Sequence, residues 1–280
     1  MVKVLVTGGT GALGHQVVET LLKETEATVR VMSRRTPPTT LLPRTEWTQA
    51  DLESGLGLVE AVHDIDVIIH AASDLAHPQQ ADVEGTHALL EQAQAAGVSH
   101  ISYISIVGID RIPLPYYKQK MTAEEAIKSS GVPWSILRAT QFHSLIDYIL
   151  LELTKQPLIA LLPTELQFQS VDASEVASRL VQMALSTPDG YVPQMGGPEV
   201  LTLGEMAHTW LTVRGLHPAV LPVRFPDQWK PDDYRDYQPE SWVWELAEGF
   251  RRGYNTCAFE HTPGRMTWTE WVQRKYQESK

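Results

Sequence analysis

The stretch Thr7-Gly8-Gly9-Thr10-Gly11-Ala12-Leu13-Gly14 constrains this chain more than any other segment. It follows a short apolar, β-branched run, Val2 to Thr7. It precedes His15 to Lys23, where Val17, Val18, Leu21 and Leu22 recur at helical spacing. A glycine triplet between a strand and a helix suits a dinucleotide. Gly8 lets the chain turn, Gly11 lets backbone approach a pyrophosphate, and Gly14 lets helix and strand pack closely. The helix N-terminus then offers unpaired N–H groups and the positive end of its dipole. Without that context the same residues are only a tight turn.

The segments that follow alternate. Strands are predicted at Thr28–Met32, Trp47–Ala50, Val67–His70, Ile101–Ile106 and Trp134–Leu137. Helices are predicted at about Asp82–Ala96, closed by Gly97, and at Pro115–Ser130, with Gly131 just beyond. Later come a helix over Ser174–Leu185, a strand near Gly190–Met195 and a helix over Leu203–Val213. Strands separated by helices imply right-handed crossovers and a doubly wound parallel α/β sheet. The 280 residues are read as one such domain, with residues from about 186 to 280 adding a substrate-binding lobe. Trp229, Tyr234, Tyr237, Trp242, Trp244 and Tyr254 fall in that lobe.

The end of the second strand distinguishes between nucleotides. Ser33-Arg34-Arg35 stands where an NAD-binding protein usually carries an acid for the ribose hydroxyls. Two arginines suit a 2′-phosphate through charge-assisted bonds, and so favour NADP(H); the alternative is a solvated basic turn. The formal net charge of −11 argues against nucleic acid and anionic membrane as partners, and leaves a small-molecule substrate. Oligomeric state stays open. One cysteine, Cys257, allows no intrachain disulfide and fits a reducing, cytoplasmic setting. The histidines show no metal-binding pattern, so no metal is expected.

Tyr116 and Lys120 are four apart on one predicted helix and therefore share a face. A lysine ammonium beside a phenol lowers the tyrosine pKa, and such a tyrosine can protonate a carbonyl oxygen as hydride reaches the carbon. The lysine can also hold the nicotinamide ribose. Ser105, closing the fifth strand, is placed to bond the same oxygen. Tyr117 is an adjacent alternative to Tyr116. His143 and Asp147, also four apart, form a second acid/base candidate or a plain helix contact.

TGGTGALG, HAAS at 70–73, DVEGTHALLEQAQAAGVSH at 82–100 and YISIVGID followed by YYKQKMTAEEAI resemble the atypical short-chain dehydrogenase/reductases, nearest to the NmrA-like NAD(P)H-binding branch. The resemblance is dense over residues 2–142 and weaker in SVDASEVA, GGPEVLTLGEMA and GRMTWTEWV. It implies that Thr10 to Leu13 lie against the pyrophosphate and that Asp51 and Leu52 border the adenine. It places Ala71, Ala72 and Ser73 along the middle of the cofactor. Arg138 to Phe142, including Gln141 and Phe142, should approach the nicotinamide. Ser105, Tyr116 and Lys120 match the Ser, Tyr and Lys roles of typical members, although Ser105 precedes Tyr116 by only eleven positions. Asp82 replaces an Asn that extended members often carry. The implied activity is NADPH-dependent reduction of a small carbonyl, quinone or conjugated double bond. A second reading is a non-catalytic NADP(H) sensor.

Overall fold

The computed structural model describes residues 1–155, 159–223, 241–257 and 260–277, without the side chains of 241–244. In chain order the elements run β1 (Lys3–Thr7), α1 (Ala12–Glu24), β2 (Thr28–Ser33), β3 (Thr45–Gln49), α2 (Leu58–Val62) and β4 (Val67–His70). A π-helical turn (Gln79–Glu84) leads directly into α3 (Gly85–Ala96), β5 (His100–Ile106), α4 (Pro115–Ser129) and β6 (Trp134–Ala139). Then come α5 (His143–Leu153), β7 (Ile159–Leu162), β8 (Gln167–Phe168), α6 (Ala173–Ala184), β9 (Gly190–Tyr191) and β10 (Met195–Gly196). The chain closes with β11 (Leu201–Thr202), α7 (Leu203–Arg214), β12 (Ala219–Pro222), α8 (Ser241–Arg251), β13 (Thr262–Pro263) and α9 (Trp268–Tyr276).

These elements divide into two compact units. The first holds residues 1–106, 116–138 and 173–193. Its strands lie in the order β6-β5-β4-β1-β2-β3, all parallel, with β9 also pairing to β6. That is the doubly wound order, in which the sequence direction reverses between β1 and β4, the place where ligands of open α/β sheets bind. β1 and β4, in the middle of the sheet, are buried along nearly their whole length because helices cover both faces, whereas β3 at the edge is polar and partly exposed. Leu5, Ile68, Ile101 and Ile136 gather with Leu58, Leu89, Ala123 and Ile127 from α2, α3 and α4. α1 and α6 pack on one another and on the strands.

The second unit holds residues 107–115, 139–172 and 194–280. Ala139, the last residue of β6, pairs there with Met195 of β10, which pairs in turn with β13. β7 with β12 and β8 with β11 form two small sheets. Trp210 of α7 and Trp268 of α9 are fully buried. The aromatics Trp229, Tyr234 and Tyr237, and the side chains of Trp242 and Trp244, lie outside the described residues.

Most predicted elements match. The helix expected from Asp82 begins instead as the π-turn, three residues earlier, and the strand expected over Gly190–Met195 is broken into β9 and β10 by Pro193. The glycine loop shows why its residue type is required. Gly8 has φ +65°, and a Cβ there would stand 2.7 Å from the Ala72 Cα. A Cβ on Gly14 would stand 2.1 Å from the Gly8 carbonyl oxygen, with α1 pressed against the loop. Gly14→Ala is expected to cost about 1–3 kcal/mol in urea unfolding by overpacking, because the atom it meets is backbone and not a movable side chain.

Candidate active site

The first unit carries a cleft of about 280 Å³ beyond the ends of β1, β2 and β4. The glycine loop supplies Gly8, Thr10 and Gly11 to its wall, and β2 supplies Ser33, Arg34 and Arg35. Asp51 and Leu52 follow β3 on a third side, and Ala71, Ala72 and Ser73 follow β4. These sequence-predicted residues share one cleft, whereas Ala12, Leu13, Gly14 and Lys120 do not line it. Gly11 is the N-cap of α1 and has no side chain to bond the helix's first amides, and the first turn has no acid. The amides of Ala12, Leu13 and Gly14 form that turn. This is an anion-receptive end of the kind a pyrophosphate requires. Ser33 ties the loop to β2: its hydroxyl lies 3.1 Å from Thr10 Oγ1 and accepts the Arg35 amide at 3.2 Å.

The orientation of the segment after β4 comes from a buried chain of hydrogen bonds with one permitted direction. Thr86 uses its only proton on the Asp82 carbonyl, 2.6 Å away, so it accepts from His70 Nε2 at 3.0 Å. His70 Nδ1 is then the acceptor and takes the Thr7 hydroxyl proton at 2.7 Å. Thr7 Oγ1 accepts in turn the amides of Ala71 and Ala72, both at 3.2 Å. Burial, aided by the Lys120 charge, drives the His70 imidazole down to about 3, so it is neutral.

Asp82 is 1% exposed, and it is the centre of the site that sequence reasoning did not assign. Its Oδ2 accepts the Ser73 hydroxyl at 3.1 Å and the Asp74 amide at 3.2 Å, and its Oδ1 lies 3.6 Å from Lys120 Nζ. Because Ser73 gives its proton to the carboxylate, it accepts from the Tyr116 phenol at 2.8 Å. The sequence carries a signal for it, since Asp82 stands where related proteins often have Asn.

Lys120 and Tyr116 are placed otherwise than as the mutual pair that their spacing suggests. Lys120 is 3% exposed, with Nζ donating to the Ile104 carbonyl at 3.2 Å and sitting 4.2 Å above the Tyr103 ring. The ammonium faces its carboxylate, Asp82. Burial lowers the Lys120 pKa while Asp82 opposes the fall. Tyr116 is likewise not acidified. Burial pushes its phenol well above the ordinary range, the Ser73 bond offsets only part of this, and Asp82 adds to the rise.

Ser105 is 2% exposed, and its buried hydroxyl makes no hydrogen bond within the usual limits among the described residues; it does not line the cleft. Burial raises the Glu124 carboxyl, but Arg138, bonded at 2.7 and 2.9 Å, and the Tyr191 hydroxyl at 2.8 Å bring it below its usual range. Tyr117 is buried. In the second unit, His143 and Asp147 do not pair. His143 bonds Ser170 and the Met266 carbonyl, whereas Asp147 accepts from Trp210, Tyr276 and Lys275. That pair anchors α7 and α9. Gln141 accepts from Asn255 at 3.0 Å, and Phe142 caps α5 and bridges to Val171. Burial pushes the half-buried Cys257 thiol up to about 12, leaving it unreactive.

The chain belongs to a family of NAD(P)H-binding proteins, whose profile matches residues 8–184. It is 26% identical over 230 residues to the (4-alkanoyl-5-oxo-2,5-dihydrofuran-3-yl)methyl phosphate reductase of Streptomyces griseus, covering 80% of this chain and 76% of that protein. It is 28% identical over 141 residues to quinone oxidoreductase 2 of Escherichia coli, covering 48% of this chain and 47% of that protein, less than half its length. Among solved structures, the triphenylmethane reductase of Citrobacter sp. superposes with a TM-score of 0.78 at 19% identity, covering 99% of each chain. The Escherichia coli quinone oxidoreductase bound to NADPH gives 0.74 at 18% identity, covering 98% of this chain and all of that one. Both share the fold. Among the described residues no helix is long and apolar enough to cross a membrane.

The neutral buried His70 has a consequence for stability. Its folded pKa lies below its unfolded value, so its contribution is complete above about pH 6.5 and is lost as pH falls from there toward 3. The loss reaches about 1.4 kcal/mol per pH unit. Urea titrations of wild type and His70→Asn are expected to show a shallower fall below pH 6.5 in the variant.

Proposed function

We propose that this chain is an NADPH-dependent reductase of a small carbonyl, quinone or conjugated double-bond substrate. The observation that carries this reading is the placement of a protonated phenol, Tyr116, one hydrogen bond from Ser73 on the wall of the cofactor cleft. The reductase names of the Streptomyces and Escherichia relatives support it.

NADPH, when bound, supplies a hydride. The first turn of α1, from Ala12 to Gly14, binds the pyrophosphate. Arg34 and Arg35 bind the 2′-phosphate. Asp51 and Leu52 border the adenine, and Ala71 to Ser73 line the middle of the cofactor. Gln141 and Phe142 are assigned to the nicotinamide end, and residues 186–280 to substrate recognition. Tyr116 rotates its O–H from Ser73 to the substrate oxygen and gives up the proton as the carbon takes hydride. Lys120 acts through Asp82: its charge balances the carboxylate that holds Ser73, and Ser73 orients the phenol.

Two measurements test this. Arg34→Ala with Arg35→Ala is expected to weaken NADPH binding about 10- to 100-fold and to leave NADH binding nearly unchanged; equal losses would remove the 2′-phosphate assignment. Tyr116→Phe is expected to lower kcat with a quinone and carbonyl panel by about 10²- to 10⁴-fold without changing the NADPH Kd. Binding of NADPH with no turnover across that panel, in wild type, would favour a sensor over an enzyme.

A further inference from the structure

The basic end of the cleft holds acids as well as arginines. Arg34 NH1 lies 3.5 Å from Glu53 Oε1, and NH2 lies 3.4 Å from Asp74 Oδ2. His77 Nδ1 stands 3.7 Å from the same Glu53 oxygen. Glu53, Asp74 and His77 each bring one polar atom within 4.8 Å of the others. Glu53 and Asp74 both line the cleft beside Arg34 and Arg35. They arrive from different elements, Glu53 from the turn after β3 and Asp74 from the segment after β4. Among the described residues Arg35 has no carboxylate partner, whereas Arg34 has two.

Building on the proposed NADPH site, we infer that Glu53 and Asp74 are specificity-determining residues that restrain the preference for a 2′-phosphate. The Arg34 side chain is 64% exposed, so its ion pairs are weak individually and hold it in place only slightly. Their larger effect is on the ligand. A dianionic 2′-phosphate entering between the arginines must displace two carboxylates from Arg34 and then remain near them. A ribose 2′-hydroxyl meets no such repulsion and can donate to a carboxylate, as it does to the acid of NAD-binding proteins. The site therefore accepts both nucleotides, with a smaller NADPH advantage than two arginines alone would give.

The test is calorimetric titration of NADPH and NADH into wild type, Glu53→Gln, Glu53→Gln with Asp74→Asn, and Arg34→Ala. Glutamine and asparagine keep the size and the acceptor oxygens, including the one Asp74 offers the Ala76 amide. The double variant is expected to bind NADPH about tenfold more tightly, from the Coulomb repulsion of two nearby charges at the surface. NADH binding should stay level or weaken, so the ratio of the two affinities widens. Glu53→Gln alone, which leaves the loop after β4 untouched, should give part of that gain. An unchanged ratio, or weaker NADPH binding, overturns the inference and makes the carboxylates mere supports for Arg34. If Arg34→Ala weakens NADPH binding while the double variant leaves the ratio unchanged, only the inference fails. If Arg34→Ala alters neither nucleotide, the 2′-phosphate reading fails and takes the inference with it.

Discussion

A single buried carboxylate organises the site. Asp82 is almost wholly removed from water, and a charge in that position persists only if it is paired and hydrogen-bonded. Lys120 supplies the opposite charge, and Ser73 and the Asp74 amide supply the bonds. Both partners of the ion pair are buried. What they transmit outward is an orientation. Ser73 must donate inward, so Tyr116 must donate to Ser73. The π-turn that carries Asp82 is fixed from its other side by the Thr86–His70–Thr7 chain, which ends on the residue next to Gly8. The same contacts therefore tie the glycine loop to the phenol.

Burial then decides the chemistry of each group. His70 is held neutral by its burial, and a proton on it would also be a second cation beside Lys120. Tyr116 keeps its proton because a phenolate there would face Asp82 with little solvent. Its phenol therefore stays protonated, which is the form that the proposed proton donor requires. At the far end of the cleft Arg34 is exposed, and there it pairs with Glu53 and Asp74.

The doubly wound sheet was legible from the sequence because its strands are short apolar runs and its helices start and stop on proline and glycine signals. The cofactor cleft was legible because glycine spacing and Ser33-Arg34-Arg35 lie within continuous segments. The partners of Lys120 were not, because the Lys120–Asp82 contact joins residues 38 positions apart, and a period-four pattern speaks only for residues on one helix. His143 and Asp147 show the same limit. They share a helix, yet each is claimed by residues distant in sequence, Met266 and Lys275 among them. The helices α7 and α9 did carry a local signal in full, the capping boxes Thr202–Glu205 and Thr267–Glu270, which periodicity alone passes over.

The central claim is that the glycine loop, the Ser33-Arg34-Arg35 turn and the segment after His70 together hold NADPH. Hydrogen–deuterium exchange with and without NADPH tests it most directly, since bound phosphates engage amides that are otherwise open to water. The account predicts slowed exchange in residues 8–14, 33–35 and 71–74, and a smaller effect at 33–35 when NADH replaces NADPH. Unchanged exchange in residues 8–14, or protection confined to segments outside these three, would contradict it.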